Sequence, residues 1–308
     1  MRVAIAGSGA FAQYFAEEFP AAGHEVIVLT RSHKPFFDGK PGVVAQRVTD
    51  YTSVPQLTEL LNDCDALVST ISDMSGSYAD VHLALLDACK QTPKCRRFIA
   101  SEYGANSEDH PEQPDSPYYA NKVVRDALAA QSEIEWTVIA IGWVLNFLLP
   151  PANRYHHDIG PLFSFDRAAK TLTIPGTGNE PFAITSVRDI AKAVAEMLKS
   201  SAKWRHHTNV QSEETTWLRV AETLKTVGGI PDLKLEFEPV DVLLEIFQKN
   251  ESVEMAVVAG FKLAVPLGMF KLDQTKVQRD RAELFPSVRF STVHEALEAV
   301  NKDPKVLF

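Results

Sequence analysis

An α/β fold, with a doubly wound parallel sheet and a smaller, mostly helical second domain, is what the 308-residue sequence predicts. Three observations carry this. Short, continuously apolar runs alternate with segments of helical periodicity through residues 1–150, the pattern of parallel strands covered by helices on both faces. A glycine turn, Gly7-Ser8-Gly9, joins the first apolar run to the first helix. After Pro150-Pro151 the alternation stops and short hairpin and helical segments take over.

The elements follow in order. Residues 2–6 form a strand, the glycine turn opens a helix near 10–19, and residues 25–29 form the second strand. A helix at 54–62 precedes a buried strand at 65–70. Residues 77–90 place Val81, Leu85 and Cys89 on one helical face, and a strand at 97–100, a helix at 116–131 and a strand at 136–140 follow. In the second half, 162–165 and 171–174 flank a polar turn as a hairpin, 175–179 is a loop, and 186–199 is a helix with Ser186 as N-cap and Asp189 at its third position. The rest is mostly helical, with short strands near Asn209 and Leu235. The expected division is a nucleotide-binding domain over 1–152, with 176–200 packing back on it, and a substrate domain from 153–175 and 201–308.

Strand, glycine turn, helix and second strand together build a Rossmann-type dinucleotide site. Gly7 permits the tight turn, Gly9 lets a pyrophosphate approach the backbone, and Ala12 lets the helix lie close to the strand. Ser8, Ala10 and Phe11 complete the phosphate loop, because free N–H groups and the helix dipole favour anions there. An NAD site would carry Asp or Glu after the second strand; here Thr30-Arg31-Ser32 stands at that place. A guanidinium pairs with a 2′-phosphate, so the reading is NADP(H). Thr70 and Ser72, after the 65–70 strand, join the cofactor set, and Asp73 is read as a loop hydrogen-bond acceptor.

A formal charge of −9 argues against a nucleic-acid surface. No apolar stretch is long enough to span a membrane, and the first strand begins at residue 2, so no cleavable signal is expected. Three cysteines, Cys64, Cys89 and Cys95, lack metal spacing and read as free thiols of a cytoplasmic protein. His206 and His207 have no carboxylate or thiol partners at ligand spacing, so no metal is expected.

The chemistry concentrates in Ser101-Glu102-Tyr103-Gly104 and in Ser116-Pro117-Tyr118-Tyr119-Ala120-Asn121-Lys122. Ser101 lies at the carboxyl end of a parallel strand, where such sheets bind ligands. Tyr118 and Lys122 are four apart on one helix face. Tyr-x-x-x-Lys suits proton transfer to a carbonyl oxygen: the lysine cation lowers the tyrosine pKa and can bind the nicotinamide ribose, while Ser101 holds the substrate oxygen and also contacts cofactor. Tyr103, Trp143, Phe147 and Tyr155 are the candidate apolar walls of a substrate pocket. His156 and His157 follow Tyr155 in a loop and are expected to face solvent.

These residues resemble the NmrA-like and isoflavone-reductase-like branch of the atypical short-chain dehydrogenases. The resemblance rests on the glycine loop with Thr30-Arg31, on 65–70, on 101–104, on Asn121-Lys122-Val123-Val124-Arg125, on 176–179 and on Val187-Arg188-Asp189-Ile190-Ala191. It implies NADPH at the glycine loop and Arg31, and a single catalytic lysine at the position of Lys122, working on a phenolic or carbonyl oxygen as hydride leaves the nicotinamide. Ala6 and Ala12 replace the first and last glycines of the family's G-x-x-G-x-x-G, and Tyr118 is an addition that leaves open which group transfers the proton. The implied activity is reduction of a C=O, C=C or C=N bond of a small, aromatic or secondary-metabolite substrate. The alternatives are a redox-sensing NADP(H)-binding regulator without catalysis, or a cofactor-retaining isomerase or cyclase. The chain is expected as a monomer or homodimer.

Overall fold

The computed structural model describes residues 1–73, 76–111 and 119–308. The N-terminal half runs β1 (Arg2–Ala6), α1 (Ala10–Ala21), β2 (Glu25–Thr30), β3 (Val43–Val48), α2 (Val54–Leu61), β4 (Ala66–Ser69), α3 (Tyr78–Gln91), β5 (Arg97–Gly104), α4 (Tyr119–Ala129) and β6 (Glu135–Ala140). The remainder comprises β7 (Trp143–Val144), β8 (Phe165–Asp166), β9 (Thr171–Pro175), β10 (Phe182–Thr185), α5 (Val187–Lys199), β11 (His207–Asn209), β12 (Glu213–Thr215), α6 (Trp217–Thr226), β13 (Lys234–Glu238), α7 (Val240–Lys249), α8 (Val253–Leu263), α9 (Gln274–Leu284) and α10 (Val293–Lys302).

Seven parallel strands form the main sheet in the order β11-β6-β5-β4-β1-β2-β3. The sheet is doubly wound because successive strand residues feed opposite cores. Val3 and Ile5 pack with α1 and α5, whereas Ala4 and Ala6 pack with α2, α3 and α4. Strand β3 was not expected: its residues are exposed or half-buried at the sheet edge, so VVAQRV lacks the continuous apolar run that marks the others. Strand β5 extends to Gly104, four residues beyond the expected end, with a register irregularity against β6 between Ile99 and Tyr103. Strand β11, from the stretch expected in the substrate domain, pairs with β6 as the seventh strand. Ser186 caps α5, its side chain accepting from the Asp189 amide, as its position predicts.

Two three-stranded sheets, β12-β10-β7 and β13-β9-β8, frame a second core that holds Trp143, Phe163, Phe182 and Trp217. The expected hairpin is present as the antiparallel β8–β9 pair. Gly142 stands where the chain leaves the main sheet; at φ +68° a Cβ there would lie 1.9 Å from the Ala183 carbonyl oxygen, so only glycine lets β7 and β10 approach. Asn146 ties the layers together: its amide donates to the Tyr14 hydroxyl (3.2 Å) and the Phe308 carbonyl (2.7 Å) and accepts from the Val187 N–H (2.9 Å). Helices α7 and α8 form a hairpin with a small core of its own, Leu243, Ala259 and Leu263. No helix among the described residues is long and apolar enough to cross a membrane.

Candidate active site

The candidate groups converge at the carboxyl edge of four adjacent strands. Strands β5, β4, β1 and β2 end in Ser101-to-Gly104, Ser69-Thr70, Gly7 and Thr30-Arg31 respectively. Gly7 sits at φ +104°, and a Cβ there would meet the Thr70 hydroxyl at 2.7 Å, so its turn and its neighbour both require glycine. Gly9 differs: its φ is −80°, and nothing lies within 4 Å of a Cβ placed on it. The protein itself has no need of glycine there, which leaves the approach of a ligand as the physical reason. Gly9 is also the N-cap of α1 and supplies no side-chain cap, so the first-turn amides at Ala10, Phe11 and Ala12 are available to an anion. The loop is held from β2 by the Thr30 hydroxyl, which donates to the Ser32 carbonyl at 2.8 Å and lies within hydrogen-bond distance of Ser8 Oγ at 3.1 Å. Arg31 and Ser32 are exposed, and Arg31 makes no ion pair among the described residues. This set fits a phosphorylated dinucleotide: open backbone at Gly9, free amides on α1, and an available guanidinium after β2.

The loop after β4 is fastened to the glycine turn. Thr70 donates to the Ala6 carbonyl through both its amide (2.7 Å) and its hydroxyl (3.0 Å). Ser72 is exposed beyond it. Asp73 accepts from the amide and hydroxyl of Ser77, the acceptor role expected of it. Beneath the loop, His82 Nδ1 donates to the Tyr78 carbonyl (2.8 Å), which leaves Nε2 to accept from the Ser69 hydroxyl (2.9 Å). Burial pushes the His82 imidazole down to about 4, so it is neutral at pH 7. The Tyr78 hydroxyl donates to the Ser101 carbonyl at 2.8 Å, which carries this network to β5.

Lys122 lies on α4, half-buried, with its Nζ donating to Asp126 Oδ2 at 2.7 Å one turn on. Helix α4 is clamped to the end of β5 by a buried ion pair between Arg125 and Glu102, and Arg125 also donates to the Pro111 carbonyl at 3.0 Å. Burial pushes the Glu102 carboxyl up; the Arg125 guanidinium opposes that shift. The pair joins two of the motifs singled out in the sequence, and the pairing itself was not foreseen. Tyr118 and Ser116 lie outside the described residues.

Of the four expected pocket walls, Tyr103 and Phe147 come together near the glycine loop. Tyr103 packs on Phe11 at a centroid distance of 5.0 Å, and its hydroxyl donates to the Ser69 carbonyl. His156 bridges Phe11 (5.3 Å) and Phe147 (5.5 Å). Trp143 sits deeper, in the second core against Phe163 and Phe270. Tyr155 packs on Tyr14 of α1 and donates to Glu17 Oε1 at 2.6 Å. His157 is exposed as expected, but His156 is not: both its ring nitrogens are buried without a hydrogen-bond partner among the described residues. Phe11 and Phe147 give that imidazole an apolar berth which adjacency of two histidines does not reveal, and burial there pushes its pKa down to about 4.

The histidines His206 and His207 are placed by packing: His206 stacks on Trp136 at 4.0 Å. No group of three metal-ligating side chains occurs among the described residues. Cys64, Cys89 and Cys95 are buried free thiols, with 3.5 Å between the sulfurs of Cys89 and Cys95.

The NmrA-like family model matches residues 2–297. Two curated relatives, each called oxidoreductase swnR, cover 99% of this chain and of themselves: that of Arthroderma benhamiae is 35% identical and that of Metarhizium robertsii 36%. Among solved structures, a ternary complex of leucoanthocyanidin reductase from Vitis vinifera superposes with a TM-score of 0.75 at 21% identity, covering 97% of this chain and 99% of that one. The complex of AtPrR2 with NADP+ and (+)pinoresinol superposes with a TM-score of 0.74 at 19% identity, covering 97% of this chain and 98% of that one. The family-model match and the two swnR relatives establish that the chain belongs to the NmrA-like family.

Proposed function

We propose that the chain is an NADPH-dependent reductase that acts on a C=O, C=C or C=N bond of a small aromatic or secondary-metabolite molecule, with Lys122 in proton transfer. The observation that carries this is the convergence of the open glycine loop, the available Arg31 and the clamped Lys122 helix on one sheet edge. The names of the swnR relatives and the NADPH and NADP+ complexes of the structural neighbours support it. Gly7, Ser8, Gly9, Ala10 and Phe11 cradle the pyrophosphate, and Arg31, with Thr30 and Ser32, takes the 2′-phosphate. Thr70, Ser72 and Ser101 line the nicotinamide side. When bound, the cofactor supplies hydride.

Lys122 then has one task. Its Nζ, held beside Asp126, supplies the proton that the substrate heteroatom needs as negative charge develops on it. The clamp of Arg125 on Glu102 fixes the helix that carries Lys122 to the end of β5. Tyr103 and Phe147 offer the apolar surface for the ring of the substrate.

Lys122→Ala should lower kcat by about 100-fold or more while the Kd for NADPH changes little; Tyr118→Phe separates the two candidate proton groups. The readout is loss of reduced-nicotinamide absorbance over a panel of aromatic ketones, enones and imines, with NADPH binding measured in parallel. If NADPH binds and every panel member leaves it unoxidised, the reductase reading fails. Product formed without net oxidation would identify an isomerase or cyclase, and selective binding of one redox form without turnover a sensor.

A further inference from the structure

Tyr51 stands in an unusual backbone conformation at a place the glycine motif does not explain. It follows β3 in the turn Thr49-Asp50-Tyr51-Thr52, its φ is +65°, and it is 5% exposed. A bulky non-glycine residue at positive φ is strained, and such strain persists only where the surroundings over-determine it. They do so here. The Tyr51 amide donates to Thr49 Oγ1 (3.1 Å), the Thr49 hydroxyl donates to Gln56 Oε1 (3.0 Å), and the Thr49 amide donates to the Thr30 carbonyl (3.0 Å).

What the strained residue achieves is visible at its hydroxyl. The Gly7 N–H donates to the Tyr51 oxygen at 3.0 Å, and the Tyr51 O–H donates to the Leu29 carbonyl at 2.7 Å. Gly7 also reaches Leu29 directly, at 3.1 Å. One phenol thus closes a ring through the first glycine of the phosphate loop and the strand end that precedes Arg31. Burial raises the Tyr51 pKa to about 12, which keeps the hydroxyl protonated and able to donate and accept at once.

We propose that Tyr51 is a positioning residue for cofactor binding: its hydroxyl tethers Gly7 to the end of β2 and so pre-forms the pyrophosphate loop before the dinucleotide arrives. Glycine has the most conformational freedom to lose, and a loop ordered in advance loses less of it on binding. The inference rests on the NADP(H) reading of the site. Tyr51 is buried and its oxygen accepts from the Gly7 amide, so it acts through Gly7.

The test is calorimetric titration of the full chain with NADPH and two fragments. Adenosine 2′-monophosphate reports the Arg31 end, and 2′-phospho-ADP-ribose adds the pyrophosphate. Tyr51→Phe should weaken NADPH and 2′-phospho-ADP-ribose about fivefold, the share of one hydrogen bond, and leave adenosine 2′-monophosphate unchanged. It should also speed hydrogen exchange of the Gly7 amide in the unliganded protein, which a general loss of stability would not confine to Gly7. Unchanged affinities, or an equal loss for both fragments, would overturn the tether. Should Tyr51→Phe not fold, Thr49→Ala keeps the ring, frees its backbone, and must shift the same two affinities in the same direction. Failure of the wild-type chain to bind NADPH would sink the cofactor reading itself, and the tether with it.

Discussion

His156 carries two polar atoms into an apolar berth between Phe11 and Phe147, and neither finds a partner among the described residues. Leaving a buried donor or acceptor unmade costs about 1–3 kcal/mol. A phenyl ring of similar outline would keep the edge-to-face contacts without that cost. His156→Phe is therefore expected to raise the thermal midpoint, by a few degrees for a stabilisation of about 1 kcal/mol in a chain of this size. A lowered midpoint in differential scanning calorimetry would mean that the nitrogens are satisfied in the folded protein and that the berth is polar. Lys122 presents the opposite case at the same scale. Its side chain is partly exposed and pairs with Asp126, so its replacement should be felt in turnover far more than in stability.

At the scale of elements, the decisive contact is the buried pair that joins α4 to β5. Arg125 and Glu102 are both nearly inaccessible, so removing one leaves the other as an uncompensated charge in the interior. Arg125→Leu should cost about 3–5 kcal/mol, whereas the double replacement Glu102→Leu with Arg125→Leu should recover most of it. A double-mutant cycle in urea measures the coupling; additive losses would show that the pair does not clamp the helix. Most elements were legible before the structure, because their signals are local. Residues 3–6, 26–29 and 66–68 announce themselves as unbroken apolar runs, and Ser186 as a cap three residues before Asp189. Strand β3 was illegible because an edge strand with no buried residue has no apolar period. The site divides in the same way. Gly7, Gly9 and Arg31 are read from their spacing, since the chemistry of the loop is contiguous in sequence. The pairing of Glu102 with Arg125, the burial of His156 and the tether from Tyr51 depend on which loops the sheet order brings together. Tyr51 in particular sits in a polar turn that carries no signal of its own.

For the whole molecule, buried imidazoles set the response to acid. Burial holds His82 and His156 near 4, against an ordinary value of 6.5, and it lowers His24 and His207 as well. A histidine with a depressed folded pKa binds protons less readily than it does in the unfolded chain. Its contribution is therefore complete above pH 6.5 and is lost as pH falls toward 4. Each fully realised shift of this size is worth about 3 kcal/mol. The carboxyls of Glu102, Asp189 and Glu213 shift the other way: burial raises them, so the folded state takes up their protons earlier and offsets part of the loss at the acid end. The upper part of the window, from pH 6.5 to about 5, therefore belongs chiefly to the histidines. Unfolding free energy should fall steadily across that range in the wild-type chain. His156→Phe removes one of the two strongly depressed sites and should flatten the slope by roughly the share of one proton. Urea melts at half-unit pH steps would show it, and an unchanged slope would mean that His156 titrates in the folded protein as it does in the unfolded chain.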